Sequence, residues 1–318
     1  MRKYLKTFIK IAVSGLLICL LYSKVDLSDI LGKLRNASPA WLALAFFLMV
    51  VNTIVSAFKW RLFLKSDNLD QPIPSLWASY ITASFFNLFL PSTIGGDAYR
   101  IADIGSRTGC HARVAASILA DRITGFFALS IYGFFASLLA RPLVTEWQWW
   151  FYLPSSAAIL ALLCVAVLLV NATFFQFCLR LLPVKRLREK ASAIAEQIGN
   201  AMRGYAARRN VISPALALSF IFQFDLILAV WAIAKSIGLA LPLGVFFLFI
   251  PIKTFLEMIP VSVFGLGLRD LGYTIFILAM GFVDSEAAAY AALISAAEVL
   301  LTIIYSLVGG AVFICRKK

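Results

Sequence analysis

Two short segments of an otherwise apolar chain combine helix-breaking residues with charged side chains. In both, a proline is followed by glycines and then, nine positions after the proline, by an arginine. The candidate binding residues are Asn87, Pro91, Gly95, Gly96, Asp97 and Arg100 in the first segment, and Pro260, Ser262, Gly265, Gly267, Arg269 and Asp270 in the second. Free backbone N–H groups at a helix break, beside a guanidinium group, form a favourable seat for phosphate. The two segments therefore predict a site for an anionic group.

A purely structural interpretation of both segments stays open. Asp97 and Arg100 would then pair with each other or with the backbone inside a tight re-entrant turn. A dinucleotide-binding interpretation of the glycines around Gly265 fails, because no alternation of strands and helices surrounds them.

Further candidate residues are ionisable groups inside apolar stretches, where such groups are costly and usually functional. Lys253 and Glu257 lie four residues apart on one helix face and are predicted to pair. Asp121 and Arg122 are adjacent, so on a helix they point about 100° apart and need separate partners. The expected partners are Arg100 or Arg269 for Asp121, and Asp97, Asp270 or Glu298 for Arg122. Glu298 and Asp225 lie nearer the middle of their apolar stretches.

The composition indicates that a membrane surrounds these charges. Of 318 residues, 62% are hydrophobic and only 14% are charged, and the mean hydropathy is +0.90; soluble domains carry about a quarter charged residues. The net charge of +13 is spread between apolar stretches, so membrane topology explains it better than a nucleic-acid partner. The single histidine, His111, and five cysteines without paired spacing argue against histidine-based metal sites and a disulfide framework. We expect no metal and no other cofactor.

The apolar pattern predicts an all-α polytopic membrane protein with about eight transmembrane helices and one or two broken or re-entrant segments. Stretches long enough to span lie near 7–23, 40–58, 117–140, 150–178, 213–237, 243–260 and 286–314, and shorter ones near 75–91 and 271–283. We expect one domain, 1–318, with loosely repeated halves at 1–179 and 213–318. The connector at 180–212 has apolar residues at helical spacing and basic residues opposite them. It is either an amphipathic helix on the cytoplasmic leaflet or a solvated linker.

Basic residues set the expected topology. Placing both termini, the loop 59–72 and the connector 180–212 in the cytoplasm satisfies the positive-inside rule. The loop 59–72 and the basic stretch 100–113 would then both be cytoplasmic, which favours a re-entrant 75–91 over a spanning one. The first apolar stretch has no small-residue cleavage site after it, so an uncleaved first span is favoured over a signal peptide. Tryptophans at 41, 147, 149 and 150 would mark the outer face.

Three motifs resemble the flippase-like transmembrane domain of lysylphosphatidylglycerol synthases and their stand-alone relatives. They are Leu90-Pro91 through Gly95-Gly96-Asp97 and Arg100, the pair Asp121-Arg122, and Ile259-Pro260-Val261-Ser262 through Gly265-Leu266-Gly267 and Arg269-Asp270. The order and spacing cover essentially the whole chain. Phe264 stands where this family usually has a small residue, and Asp270 where Glu is common.

The resemblance implies movement of a polar or charged-headgroup lipid across the cytoplasmic (inner) membrane. Arg100 and Arg269 would bind an anionic phosphate, while the acids orient them or contact a cationic headgroup. The bifunctional members carry a separate cytosolic synthase domain, which nothing in this sequence resembles. Two alternatives remain: a membrane-embedded transferase acting on a lipid-linked substrate, and a scaffold that transports nothing. The expected partners are membrane lipids, and homo-oligomerisation stays open.

Overall fold

The computed structural model describes residues 32–33, 35–89, 94–139, 142, 144, 149–170, 185–258 and 267–317. This part of the chain is helical and contains no strand, which confirms the all-α prediction. A short 3-10 helix covers Trp149–Tyr152. The α-helices are α1 Pro39–Ser66, α2 Ile73–Phe89, α3 Ile94–Thr108, α4 His111–Leu139, α5 Leu153–Val170, α6 Lys185–Ala207, α7 Arg209–Ser236, α8 Leu243–Met258, α9 Leu268–Ala279 and α10 Asp284–Lys317.

Within the described residues, four helices are long and apolar enough to cross a membrane: α1, α4, α7 and α10. The shortest of them has 28 residues, roughly 42 Å at the helical rise per residue, against about 30 Å of hydrocarbon. Their apolar windows have mean hydropathies of 1.5 to 2.1. The expected span at 7–23 lies outside the described residues, and the count of about eight spans stays a prediction.

The long helices α1 and α7 run antiparallel and define two ends of the molecule. At one end the Ser38 N–H donates to the Ser236 carbonyl over 2.8 Å. At the other, Arg208 donates from Nη1 to the Ser66 carbonyl over 2.5 Å. We call the Ser66 end the basic end, because most of the described basic residues outside the helix interiors lie there. They include Arg61, Lys65, Arg107, Arg113, Arg208 and Arg316.

The opposite end, around Ser38, is the tryptophan end. There Trp41 packs edge-on against Trp231, with ring centroids 5.4 Å apart. Lys235 also lies here, its ammonium group 5.6 Å from the Trp231 ring. Of the other predicted belt residues, Trp147 and the side chains of Trp149 and Trp150 lie outside the described part.

Helices α2 and α3 form an antiparallel pair, hairpin A. At its tip, the Gly96 N–H donates to Asn87 Oδ1 over 2.6 Å. At its mouth, Arg107 Nη1 donates to Ser75 Oγ over 3.2 Å. The arms have 17 and 15 residues, roughly 26 and 22 Å, so neither is long enough to cross the hydrocarbon alone. The mouth of hairpin A lies at the basic end, because α2 begins at Ile73, a short loop after α1 ends at Ser66; Arg316 at the end of α10 donates to the Ser75 carbonyl there, over 3.0 Å.

Helices α8 and α9 form a second antiparallel pair, hairpin B, with arms of 16 and 12 residues. Phe249 and Phe276 stack across it with centroids 4.0 Å apart. Its mouth lies at the tryptophan end, where Trp231 Nε1 donates to the Leu241 carbonyl over 3.2 Å. The two hairpins therefore enter from opposite ends. The stretches 243–260 and 271–283, expected to be a full and a short span, contribute the two arms of this hairpin, because α8 and α9 pack side by side through Phe249 and Phe276.

Hairpin A is held against α10 by a close helix crossing. Gly309 faces α2 so closely that a Cβ atom there would overlap with the carbonyl oxygen of Ile81. At the neighbouring Gly310, a Cβ would lie 2.9 Å from the Phe85 ring. Small residues at a crossing let two membrane helices pack backbone to backbone.

Helix α6 supplies most of the predicted connector but is partly buried against protein. Tyr205 packs on the Phe63 ring with centroids 5.2 Å apart, and its hydroxyl donates to Asp67 Oδ2 over 2.5 Å. Helix α7 begins at Arg209, inside the predicted connector 180–212. Loop 59–72 is shorter than expected, because α1 continues to Ser66. In the remaining loop, the hydrogen bond from Arg61 lowers the pKa of the Asp70 carboxyl group.

Candidate functional site

The tip of hairpin A carries an ion-pair triad. Asp97, in the first turn of α3, pairs through one oxygen with Arg100 and through the other with Arg122 of α4. The expected pairing of Arg122 with Asp97 is therefore confirmed, as is the alternative pairing of Asp97 with Arg100. The Arg100 guanidinium also lies over two aromatic rings, 4.3 Å from the Tyr80 centroid and 5.1 Å from that of Trp60. These contacts orient Arg100 where it is only 5% exposed.

Asp121 pairs with a residue that sequence reasoning had placed in a cytoplasmic loop. Lys59 lies inside α1, is 2% exposed, and has its Nζ 3.0 Å from Asp121 Oδ1. The same Nζ donates to the Asp121 carbonyl over 3.0 Å, and the Tyr80 hydroxyl donates to Asp121 Oδ2 over 3.1 Å. The described ion pairs do not join Asp121 to either expected partner, Arg100 or Arg269. The sequence does not single out Lys59 as a site residue, because it directly follows the apolar stretch 40–58 and so resembles the start of a loop.

Lys59, Asp97, Arg100, Asp121 and Arg122 form what we call cluster A. Three cations face two carboxylates, 3 − 2 = +1, so the cluster has an excess of one positive charge. Arg100 Nη1 is buried without a hydrogen-bond partner. A buried donor left unpaired costs about 1–3 kcal/mol, and more when the group is charged. Arg100 Nη1 therefore offers a buried donor to an anionic acceptor.

Hairpin B and α10 bring together a second group, cluster B: Lys253, Glu257, Arg269 and Glu298. Lys253 Nζ lies 3.2 Å from Glu257 Oε1 and 3.3 Å from Glu298 Oε1, which confirms the predicted Lys253–Glu257 pair. Arg269 lies 3.9 Å from Glu257 and 3.5 Å from Glu298. The Tyr273 hydroxyl donates to Glu298 over 2.6 Å. Two cations and two carboxylates leave cluster B balanced, 2 − 2 = 0.

Asp270 has a local role at the start of α9. Its Oδ2 accepts a hydrogen bond from the Gly267 N–H over 2.8 Å, and it is buried. Gly267 has a φ of 87°, a backbone angle that side chains with a Cβ rarely adopt. The described ion pairs of Arg122 do not include Asp270. Asp270 and Gly267 thus cap the restarted helix beside cluster B.

Two adjoining cavities connect the clusters. Cavity A, about 380 Å³, is lined by Arg100, Arg122, Asp121 and Lys59 together with Thr254 and Glu257 of hairpin B. Cavity B, about 230 Å³, is lined by Lys253, Arg269, Glu298 and Asp225. Asn52 and Leu226 line both. The tips of the opposed hairpins therefore approach the same space.

The structure places the remaining candidate residues as follows. Gly95 and Gly96 are buried at the tip of hairpin A, and Gly96 has no room for a side chain, because a Cβ would lie 2.9 Å from the Ala83 carbonyl. Asn87 ties the two arms together. Pro91, Pro260, Ser262 and Gly265 lie outside the described residues. Within the described ranges, no three His, Cys, Asp or Glu side chains are arranged to hold a metal ion.

Comparison with known proteins places the chain in a family of membrane proteins. A family model described as "Lysylphosphatidylglycerol synthase TM region" matches residues 7–306. The UPF0104 membrane protein of Pyrococcus horikoshii is 23% identical over 304 residues, covering 88% of each chain.

Two further relatives match over shorter regions. The UPF0104 membrane protein of Methanothermobacter thermautotrophicus is 30% identical over 121 residues, 38% of this chain and 33% of the relative. That of Methanocaldococcus jannaschii is 24% identical over 165 residues, 50% and 49% of the two chains. Because the family match spans nearly the whole sequence, the chain belongs to the lysylphosphatidylglycerol synthase TM region family.

Proposed function

We propose that this membrane protein translocates a lipid with an anionic phosphate headgroup between the two leaflets. One observation carries the proposal: the buried Arg100 Nη1 lacks an acceptor in cavity A, where cluster A has one positive charge in excess. A phosphate oxygen would supply both the missing acceptor and the missing charge. Arg122, which lines the same cavity and has a side chain 34% exposed, is the second phosphate contact.

The opposed hairpins explain how a headgroup would cross. Dragging a charged headgroup through hydrocarbon is costly because its polar groups lose their hydrogen bonds. Hairpins A and B interrupt the apolar layer from its two sides and bring polar side chains to a shared space near the middle. Broken helices in corresponding halves of a transporter mark this kind of midplane site. The headgroup would move between cavity A and cavity B while the acyl chains stay in lipid.

The same arrangement gives an orientation in the inner membrane. Basic residues cluster at the end that holds the mouth of hairpin A, so the positive-inside rule places this end in the cytoplasm. Hairpin A is then a re-entrant segment from the cytoplasmic side, and hairpin B one from the outer side. The C-terminal Arg316 lies at the basic end and is cytoplasmic in this orientation.

The geometry favours translocation over a transferase reaction. A metal-dependent transferase needs convergent carboxylates that are open to a divalent cation. Asp97, Asp121, Glu257 and Glu298 each pair with a lysine or an arginine instead.

Replacing Arg100 with glutamine tests the proposal. We expect the R100Q variant to translocate a fluorescent short-chain phosphatidylglycerol in proteoliposomes about 10- to 100-fold more slowly than the wild type. This range corresponds to one hydrogen bond to a charged group, roughly 1.5–3 kcal/mol. The measurement is the initial rate at which dithionite quenches the probe. Native mass spectrometry of the gently purified protein should also show a co-purifying phospholipid that the variant loses.

The matched control is Arg61→Gln, which removes a guanidinium group from an exposed ion pair with Asp70. This variant should keep the wild-type rate. Translocation by R100Q at the wild-type rate, with the phospholipid retained, would contradict the proposal.

A further inference from the structure

One carboxylate near the middle of the protein has no charged partner. Asp225 lies inside α7, is 6% exposed and lines cavity B. Its Oδ2 is buried without a hydrogen-bond partner, and among the described residues it forms no ion pair. The Asn52 side chain of α1 forms a hydrogen bond with its carboxyl group, so Asp225 has a polar contact but no described ion-pair partner. A carboxylate without an ion-pair partner inside an apolar helix is costly, which makes Asp225 a candidate functional group.

The charged groups on the surrounding helices do not neutralise Asp225. Facing it across cavity B are Lys253 of α8, Arg269 of α9 and Glu298 of α10, all members of the balanced cluster B. Glu257 of α8 completes that balance. The charges on α1 and α4, which also pack against α7, are Lys59, Asp121 and Arg122 of cluster A. Asp225 therefore contributes one uncompensated negative charge to cavity B.

The residues that line cavity B favour a proton over a metal cation as the ligand of the Asp225 carboxylate. A metal cation needs several oxygen ligands, but most of the wall beside Asp225 is apolar, including Ala45, Met49, Val230 and Ile233. Lys253 and Arg269 in the same cavity would also repel a metal cation. A proton needs only one acceptor atom, and the unpaired Oδ2 provides it.

We propose that the Asp225 carboxyl group is the proton-binding site that couples lipid translocation to a transmembrane pH gradient. The proposal rests on the proposed function, because it assigns the driving force of that transport. Ionised Asp225 adds a negative charge to cavity B, where Lys253 and Arg269 are already balanced by Glu257 and Glu298, and therefore repels an anionic headgroup that enters the cavity. Protonation removes the carboxylate charge and with it this repulsion of the phosphate.

Proton and phosphate therefore bind cooperatively, and linkage makes the effect reciprocal. The proton moves from bulk water onto Oδ2 when the headgroup enters and returns to water on the other side when the headgroup leaves. One proton crosses with one anionic headgroup in the same direction, and no other reactant is needed.

The transport test uses proteoliposomes with fluorescent short-chain phosphatidylglycerol in the outer leaflet. For wild-type protein we expect the initial inward rate to rise about fivefold or more when the outside is the more acidic side, the lower end of typical coupling effects. The isosteric Asp225→Asn variant, which cannot ionise, should show the same rate with and without the gradient. The control Glu286→Gln, at an exposed acid in the first turn of α10, should keep the wild-type response.

A gradient response in the Asp225→Asn variant would overturn the proposal. Equal wild-type rates with and without a gradient would also overturn it, while leaving lipid translocation itself intact.

A second measurement reports on the proton directly. Infrared difference spectra of the protein in nanodiscs should show a protonated carboxyl band that titrates with pH and is missing in Asp225→Asn. If the wild-type protein moves the probe at no pH tested, the proposed lipid translocation is contradicted, and the infrared band alone tests whether Asp225 binds the proton. A band that is unchanged in Asp225→Asn would show that Asp225 is not the proton-binding site.

Discussion

Replacing Lys253 with methionine is expected to lower the free energy of unfolding by about 3–5 kcal/mol, the usual cost of breaking a buried ion pair by removing one partner. Lys253 lies 3.2 Å from Glu257 and 3.3 Å from Glu298. Without it, Arg269 is the one described cation beside both carboxylates, at 3.9 and 3.5 Å. Methionine keeps most of the side-chain volume, so the loss reports on charge rather than on a cavity. The measurement is reversible unfolding in mixed micelles, followed by circular dichroism.

A second variant separates charge balance from a general need for lysine. In the double variant Lys253→Met with Glu257→Gln, one cation and one carboxylate remain, so most of the lost stability should return. The matched control is Lys65→Met at the basic end, where the side chain is exposed and the change should stay within about 0.5 kcal/mol. If the double variant were less stable than Lys253→Met, the charge-balance account of cluster B would be wrong.

Replacing Gly309 with alanine is expected to destabilise the protein by about 3 kcal/mol, at the upper end of overpacking costs, and to abolish translocation. The added Cβ would overlap with the Ile81 carbonyl, and a backbone atom cannot turn away as a side chain can. Helix α2 must therefore shift away from α10. Tyr80, next to Ile81, would move with it and lose its contacts with Arg100 and Asp121. Unfolding in mixed micelles and probe translocation measure the two effects.

Gly204 offers the same substitution where there is room for it. A Cβ there would meet nothing within 4 Å, so Gly204→Ala should be neutral or stabilising by about 1 kcal/mol, the helix preference of alanine over glycine. Equal behaviour of the two alanine variants would show that the crossing of α2 and α10 tolerates a side chain, against the geometry described above.

The sequence predicted local features of this molecule better than distant ones. Lys253 and Glu257 lie four residues apart, so helical periodicity alone placed them together. The partner of Asp121 depended on tertiary packing. Several basic residues of the chain could have paired with Asp121, and the packing of α1 against α4 brings Lys59 to it. Lys59 was assigned to a loop because hydropathy falls at its position, although α1 continues to Ser66 as the chain emerges at the basic end.

The positions of the helix breaks could be predicted from prolines and glycines. Whether the helices on either side of a break cross the membrane separately or fold back on each other could not. The hydropathy of 243–260 and 271–283 is that of two separate crossings. Only contacts such as the Phe249–Phe276 stack reveal that they fold back on each other. Likewise, the charge balance of each cluster requires knowing which groups meet. Asp225 is notable because of the charges that are missing around it, which no pattern in the chain displays.

Under the proposed function, the opposite entry of hairpins A and B has a consequence in a living cell. A carrier with similar elements at both faces has no structural preference for one direction of transport, so it moves lipid inward and outward along the same route. The leaflet in which a lipid is synthesised becomes the donor, and the leaflet in which it is consumed becomes the acceptor. The abundance of the protein would then set how quickly lipid asymmetry decays, while metabolism and the proton-motive force set its steady level.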